Sequence, residues 1–251
     1  MSRSLKHIAL RRLAVLVAFL ALWELCAKFN LLNPFYFPPP SKVGLTVASL
    51  FTEGNIWPHL EATFSAALFG LVLGILIGTV AGVAGALIPL LAEVIEPVMM
   101  LLNAIPRVIL APLFVIWLGI GLASKVAVAF VLVAVLMFFT VYTGIKEVDR
   151  RLIERVTTLG GGNLVLLREV YLPSLTAWVL GNLKVAVGFA FTGACVGEFV
   201  AASRGLGYLL SFAQSTYNAA LTLALVLLIM IFVLVLFGVA GILEKYFLRW
   251  R

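Results

Sequence analysis

Two stretches of this chain, 62–92 and 205–243, contain no charged side chain. Each is longer than the about 20 apolar residues a helix needs to cross the hydrocarbon core of a bilayer. In water both would have to be buried on every side. A chain of 251 residues that is 63% hydrophobic and 12% charged has too little polar surface to cover them. Lipid is therefore the solvent for most of the chain, in keeping with a mean hydropathy of +1.16. Hydropathy predicts six helical spans, at 8–29, 60–88, 94–118, 123–144, 174–202 and 218–243. The connections leave no room for a soluble domain. The expected fold class is an all-α polytopic membrane protein of about six transmembrane helices, with 1–251 a single transmembrane domain and its core at 60–243.

The net charge of +7 follows from orientation and does not require nucleic acid as a partner. With the N-terminus inside, the inner segments hold twelve of the eighteen basic residues: Arg3, Lys6, Arg11, Arg12, Lys146, Arg150, Arg151, Arg155, Arg168, Lys245, Arg249 and Arg251. The outer segments hold Lys28, Lys42, Lys125 and Arg204, while Arg107 and Lys184 fall within spans. The excess of inner positive charge predicts that both termini and the 146–173 loop are cytoplasmic.

The basic start and the apolar run 13–23 would suit a secretory signal. Leu22-Trp23-Glu24-Leu25 before Cys26 offers no small residue for cleavage or lipid attachment, so this segment is expected to remain as a helix. Cys26 and Cys195 lie far apart in apolar spans, which suggests neither a disulfide nor a metal site. Prolines hold 33–40 extended, and Ser41 is placed to cap a helix at 41–53. Its apolar face, Val43, Val47, Leu50 and Phe51, would lie along the outer membrane surface. In the second span Gly70, Gly74, Gly78 and Gly82 recur every four residues, a smooth stripe along which a neighbouring helix can approach closely.

The third span carries Asn103, Pro106, Arg107 and Pro112; its two prolines interrupt the backbone ladder and predict a kink. A cation mid-span costs about 2.5–3.5 kcal/mol on insertion scales. Arg107 therefore either faces the bundle interior or water, or pairs with Glu93 or Glu96 near the interface. In the fifth span Lys184, Gly188, Phe191, Cys195 and Glu198 follow one helical face, with Gly193 opposite. The charges at 184 and 198 lie about 21 Å apart along the axis, too far to pair with each other. Either that face lines a pathway, or each charge pairs with another helix. Asn103, Arg107, Lys184, Phe191 and Glu198 are the candidate translocation-pathway residues.

The stretch 146–173 is the long polar interruption of the C-terminal two thirds. Val148, Leu152, Val156 and Leu159, widened by Ile153, make an apolar helical stripe. Asp149, Arg150, Arg151, Glu154, Arg155 and Thr158 cover the other side. Gly160-Gly161-Gly162 stops that helix, and Asn163 is a candidate N-cap for a second short one running into Leu172-Pro173. An amphipathic helix, a glycine break and a re-entry into membrane suggest a docking surface.

Glu154, Gly160, Val170, Leu172 and Pro173 stand at the spacing of the Glu-Ala-Ala loop of ABC importer permeases: Glu-Ala-Ala, three residues, Gly, nine residues, Ile, one residue, Leu-Pro. Arg155 and Val156 replace the alanines and Val170 the isoleucine. The chain resembles that family from Trp23 to about position 210. Asn103 to Gly119 resembles its Leu-Pro, Ala-Pro-Leu and Trp-Phe-Gly segment, and Glu198 to Gly207 its Glu and Gly-Leu-Gly periplasmic turn. Trp23-Glu24 and Phe37-Pro38-Pro39-Pro40-Ser41 resemble more narrowly the Trp-Glu and Leu-Pro-Ser-Pro-Ser of the nitrate, sulfonate and taurine branch, departing at the leucine and the first serine.

The resemblance implies the type I ABC importer permease fold, with the 146–173 loop as a coupling helix seated in a groove of a cytoplasmic ATPase subunit. Arg151, Glu154, Arg155, Thr158, Leu159, Gly160 and Gly161 would be its coupling residues. It further implies a homodimer with a second permease copy, two cytoplasmic ATP-binding subunits and a periplasmic or lipid-anchored solute-binding protein, in a bacterial cytoplasmic (inner) membrane. The solute class implied is a small anion such as a sulfonate, taurine or nitrate, with pyrimidine precursors and aromatic acids open, moved by alternating access.

No Gly-x-x-x-x-Gly-Lys-[Ser/Thr] phosphate loop is present, so ATP–Mg is expected on the partner ATPase, with no cofactor in this chain. His7 and His59 are isolated and Asp149 is the only aspartate, which leaves no material for a triad, a carboxylate pair or a zinc site. The chain is therefore not expected to be an enzyme. The rival is an ion-coupled secondary transporter, which would show repeated halves and broken helices; the sequence carries no convincing repeat.

Overall fold

A computed structural model describes residues 2–29 and 31–247. Two compact units divide the chain, 1–57 with 209–230 and 58–208 with 231–251.

In the first unit α1 (Ser2–Lys28) covers the first expected span. Its charge-free run, 13–23, lies between Arg12 and Glu24 and is shorter than the about 20 residues a bilayer requires. Asn33 then turns the chain: its Oδ1 accepts from the Phe35 amide at 3.0 Å, and its carbonyl accepts from Tyr36 and Phe37. Pro40 opens α2 (Pro40–Thr52), since a residue without an N–H and with fixed φ suits the first helical position. Ser41 is thus inside the helix and does not cap it. The orphan donors there are taken by α1: Glu24 Oε2 accepts from the Ser41 amide at 3.0 Å and Oε1 from its hydroxyl at 2.9 Å. Glu24 also pairs with Lys28 at 3.3 Å. Of the expected apolar face of α2, Val43 is buried.

The second unit is built on α6 (Leu122–Lys146), whose apolar side chains are buried on most sides. Its neighbour α3 (Trp57–Leu87) lays the glycine stripe against it. Gly70 faces Ala129, Gly74 faces Val133, Gly78 faces Ala134 and Met137, and Gly82 faces Phe138 and Val141. Both numbers rise together, so the two helices run parallel. A Cβ at Gly82 would lie 2.9 Å from the Phe138 carbonyl oxygen, so the backbones are as near as helices come. The opposite face of α3 exposes Leu68, Phe69, Leu73, Leu76 and Ile77, the surface expected toward lipid.

The expected third span is two helices, α4 (Pro89–Ala104) and α5 (Arg107–Leu118), bent by 110°. The two prolines had predicted a kink; Pro106 makes a break. It forces Ile105 into extended backbone (ψ 128°) and has no N–H to continue the ladder. Pro97 and Pro112 stay inside their helices.

The expected span 174–202 is also two helices, α9 (Leu172–Gly181) and α10 (Leu183–Val200), parted at Asn182. They make one traverse. Trp178 covers Gly144, Gly193 meets Ala129 and Gly197 meets Lys125, so residue numbers fall along α6 as they rise here and the pair runs antiparallel to it. The C-terminal part of α12 (Ala219–Phe247) returns alongside, with Phe232 against Phe64, Phe237 against Gly188 and Gly241 against Lys184. Among the described residues five helical stretches are long and apolar enough to cross a membrane, or six if the bent pair is one span, with Leu164–Gly181 and Leu183–Val200, which run here as one traverse, counted separately.

Candidate coupling surface and membrane groove

At the end of the bundle where α6 finishes, Asp149 starts α7 (Arg150–Thr158) by accepting from the Arg151 amide at 2.9 Å. Asp149, expected on the polar side of the helix, caps it, since a short acceptor one residue before the first turn satisfies an orphan N–H. Ile153 and Val156 are half-buried, whereas Arg151, Glu154, Arg155 and Thr158 are exposed and Leu159 is 81% exposed. The Thr158 hydroxyl donates back to the Glu154 carbonyl at 2.7 Å. Gly160 takes φ +80°, the left-handed stop expected of it. Gly161 sits so close that a Cβ there would lie 2.6 Å from Val156 Cγ1.

The next helix, α8 (Asn163–Leu166), begins at Asn163 rather than after it. Its first acceptor is the Gly162 carbonyl, which receives Val165 and Leu166 at 3.0 and 3.1 Å; the Asn163 side chain lies outside the described residues. Leu167–Tyr171 then form a single wide π turn, in which the Leu172 amide bonds the Leu167 carbonyl. The wide turn spares Pro173, which has no N–H to give. Leu175 and Trp178 pack on Val141 and Ile145, which fixes the start of α9 to the end of α6.

Within the bundle, a groove of about 490 Å³ opens along α6 between α4 and α10. Asn103, Thr140, Thr143, Phe139 and Phe189 line it, together with aliphatic side chains of α6. Among the candidate pathway residues whose side chains are described, Asn103 lines this groove. The Arg107 side chain lies outside the described residues. Glu96, one partner considered for it, accepts from the Tyr142 hydroxyl, which in turn receives Lys146.

The Lys184–Glu198 face packs against other helices. Lys184 pairs with Glu244 at 2.7 Å, Gly188 lies under Phe237, and Phe191 stacks edge-on to Phe64. Glu198, 1% exposed, closes the other end of the bundle. Its Oε2 accepts from the Thr63 hydroxyl at 2.7 Å and the Gly207 amide at 3.0 Å. Lys125 Nζ lies 3.9 Å from Oε1 and donates to the Arg204 carbonyl at 2.8 Å. Thr63 Oγ1 accepts from the Leu206 amide at 2.8 Å. His59 is not isolated: its Nδ1 is 3.1 Å from the Gly205 amide, and its ring stacks on Tyr208. The same Nδ1 lies 3.2 Å from the Gly205 carbonyl, so one residue of the turn meets the ring through both its backbone groups. The 204–207 turn is thereby tied to three helices. The family resemblance linked Glu198 to Gly205 and Gly207, but nothing in the sequence pointed to Thr63, Lys125 or His59.

A helical bundle with an exposed amphipathic helix at one end and a polar latch at the other now meets its relatives. The family model described as binding-protein-dependent transport system inner membrane component matches residues 70–249. The riboflavin transport system permease protein RibX of Chloroflexus aurantiacus is 33% identical over 94% of this chain and 88% of its own length. The taurine transport system permease protein TauC of Escherichia coli is 29% identical over 80% of this chain and 75% of its own. A solved inward-facing structure of the MetNI methionine ABC transporter shares the fold with a TM-score of 0.61 at 22% identity, covering 76% of this chain and 93% of that one. The chain belongs to the binding-protein-dependent transport system inner membrane components, the permease subunits of ABC importers.

Proposed function

We propose that this chain, paired with a second copy of itself, forms the membrane pathway of an ABC importer and is driven by an ATPase subunit seated on α7. As a member of its family it works with ATPase subunits and a solute-binding protein and is not itself an enzyme. The observation that carries the coupling role is α7 itself. It is an exposed helix, capped by Asp149 and stopped by Gly160, with Leu159 standing in the open. Arg151, Glu154, Arg155, Thr158 and the Gly160-Gly161 turn surround it. ATP–Mg binds the partner, and closure of the ATPase dimer draws two such helices together. Lys146, Arg150, Arg151, Arg155, Arg168 and Lys245 gather at the α7 end, which supports a cytoplasmic side for that end and a periplasmic one for the 204–207 turn.

Two solute classes stand behind this reading. Similarity to a taurine permease favours a small sulfonate or related anion, and similarity to a riboflavin permease favours a heterocycle. The coupling role is tested by Glu154→Lys in membranes that also carry the ATPase. Insertion should stay normal while transport is abolished. Copurification of the ATPase together with a normal transport rate would overturn it.

A further inference from the structure

We propose that the groove between α3, α10 and the C-terminal part of α12 is a lipid site, built for one acyl chain of a glycerophospholipid whose headgroup carries an amine. It rests on the permease reading for its side of the membrane, the outer leaflet, and goes beyond that reading to a partner.

The groove encloses about 350 Å³ and starts at Glu61, one turn inside α3. Phe64, Leu68, Leu71, Val187, Phe191 and Leu236 form its walls. The Phe64 ring braces them, edge-on to both Phe191 and Phe232. Ser65 also lines the groove, but its hydroxyl donates to the Ala62 carbonyl at 3.0 Å. Such a wall holds an alkyl chain and gives a polar solute nothing to bond. Leu68 belongs to the face that α3 exposes toward lipid, so the groove opens to the bilayer.

Its length is that of one leaflet. From Glu61 to Leu71 the helix rises about 15 Å, half of the about 30 Å hydrocarbon core. A chain laid along it runs from the interface to the midplane. Trp57, of a residue type enriched at interfaces, opens α3 one turn before Glu61.

Glu61 decides the headgroup. Its side chain is exposed and has no hydrogen bond or ion pair among the described residues. It is also the one charged group among the described residues that line the groove. His59 and Thr63 meet the 204–207 turn. Glu61 stands about 200° around the helix from each of them and so points away from that turn. Lys125, the buried cation at this end, is held by Glu198 and the Arg204 carbonyl. A carboxylate beside hydrocarbon calls for a cation. A primary ammonium brings a positive charge and three N–H donors to the groove mouth, tethered to the chain that fills it. A lipid whose headgroup carries only negative charge meets repulsion there instead.

The test uses the permease–ATPase complex in phosphatidylcholine nanodiscs. They carry, at equal level, phosphatidylethanolamine or phosphatidylglycerol with one diazirine-bearing acyl chain. Photolabelling of peptides containing Phe64, Leu68 and Leu71 is read by mass spectrometry. The amine lipid should label them about tenfold more than the glycerol lipid, the weight of a hydrogen bond to a charged group. Glu61→Gln should bring the two lipids to near-equal labelling, and Glu61→Lys should reverse the preference. Leu68→Trp, which fills the groove, should cut labelling by both.

Equal labelling of the wild type by the two lipids overturns the proposal, the groove then holding bulk lipid only. A preference unchanged in Glu61→Gln overturns it as well. So does a Leu68→Cys that cross-links between two copies, with Cys26 and Cys195 replaced by alanine, because a second permease then covers the groove. An ATPase that fails to copurify while the lipid preference is intact would instead sink the permease reading.

Discussion

Glu24 and Ser41 are joined at both carboxylate oxygens, one to the Ser41 amide at 3.0 Å and the other to its hydroxyl at 2.9 Å. Two short sequence features, a Trp-Glu pair in α1 and a proline run ending in serine, are therefore two halves of one contact. The carboxylate of one helix closes the N-terminus of the next, where the orphan N–H groups and the helix dipole both favour negative charge. Glu24→Gln should keep part of the contact and Glu24→Ala none. Amide hydrogen exchange at 41–44 should accelerate in that order, with Ser41→Ala between the two. Equal exchange in Glu24→Ala and wild type would remove α1 from the anchoring of α2.

The latch at the other end of the chain's second unit should behave as a coupled set. Glu198→Ala strands the Lys125 ammonium and the Gly207 amide, at a cost of about 3–5 kcal/mol for a broken buried pair. Thr63→Val leaves the Leu206 amide without its acceptor, at about 1–3 kcal/mol. Replacing both Lys125 and Glu198 by Met should cost less than Glu198→Ala alone. Thermal unfolding in detergent measures all three. A double variant less stable than Glu198→Ala would show that the pair is not coupled.

Gly205 and Gly54 separate backbone strain from lost space. Both have positive φ, +128° and +72°. An alanine at Gly54 meets nothing within 4 Å, so it should lose only the about 1–2 kcal/mol of a left-handed L-residue. A Cβ at Gly205 would overlap the Glu198 carboxyl group. Gly205→Ala should therefore be markedly less stable than Gly54→Ala, and comparable melting temperatures would contradict the latch geometry.

The glycine stripe should be graded along α3. At Gly78 a Cβ would lie 2.8 Å from Met137 Cβ, whereas at Gly85 the nearest atom is a Phe138 ring carbon at 3.4 Å. Gly78→Leu should collapse the yield of folded protein, overpacking costing about 1–3 kcal/mol or more where backbone must move. Gly85→Ala should be tolerated, because a ring edge can shift. Equal yields would place α3 away from α6.

The parts of this fold that were legible in the sequence are those that repeat along one helix. Charge-free runs marked the spans, four glycines in register marked a contact face, and an amphipathic stretch ending in glycine marked α7. Which helix covers which face was not legible. Thr63 and Glu198 meet across 135 positions, and no periodicity relates them. Pro106 and Pro112 looked alike in sequence, yet one divides two helices and the other sits inside one, because only at Ile105 does the chain leave the helical region. The groove along α6 was half legible. Asn103 stood out as a polar residue in a span, while Thr140 and Thr143 looked like ordinary hydroxyls, and that of Thr143 bonds its own helix at Phe139.

The near-contact of α3 and α6 limits how the molecule can change shape. Side chains act as bearings between most helices, allowing small slides and rolls, but here there is almost no side chain between the two backbones. The pair can neither slip nor turn without collision, so it moves as one lever. Any swing between outward and inward openings must then be taken up where the ladder of backbone bonds is already cut. Such a pivot stands at one flank of the lever, at Ile105–Pro106.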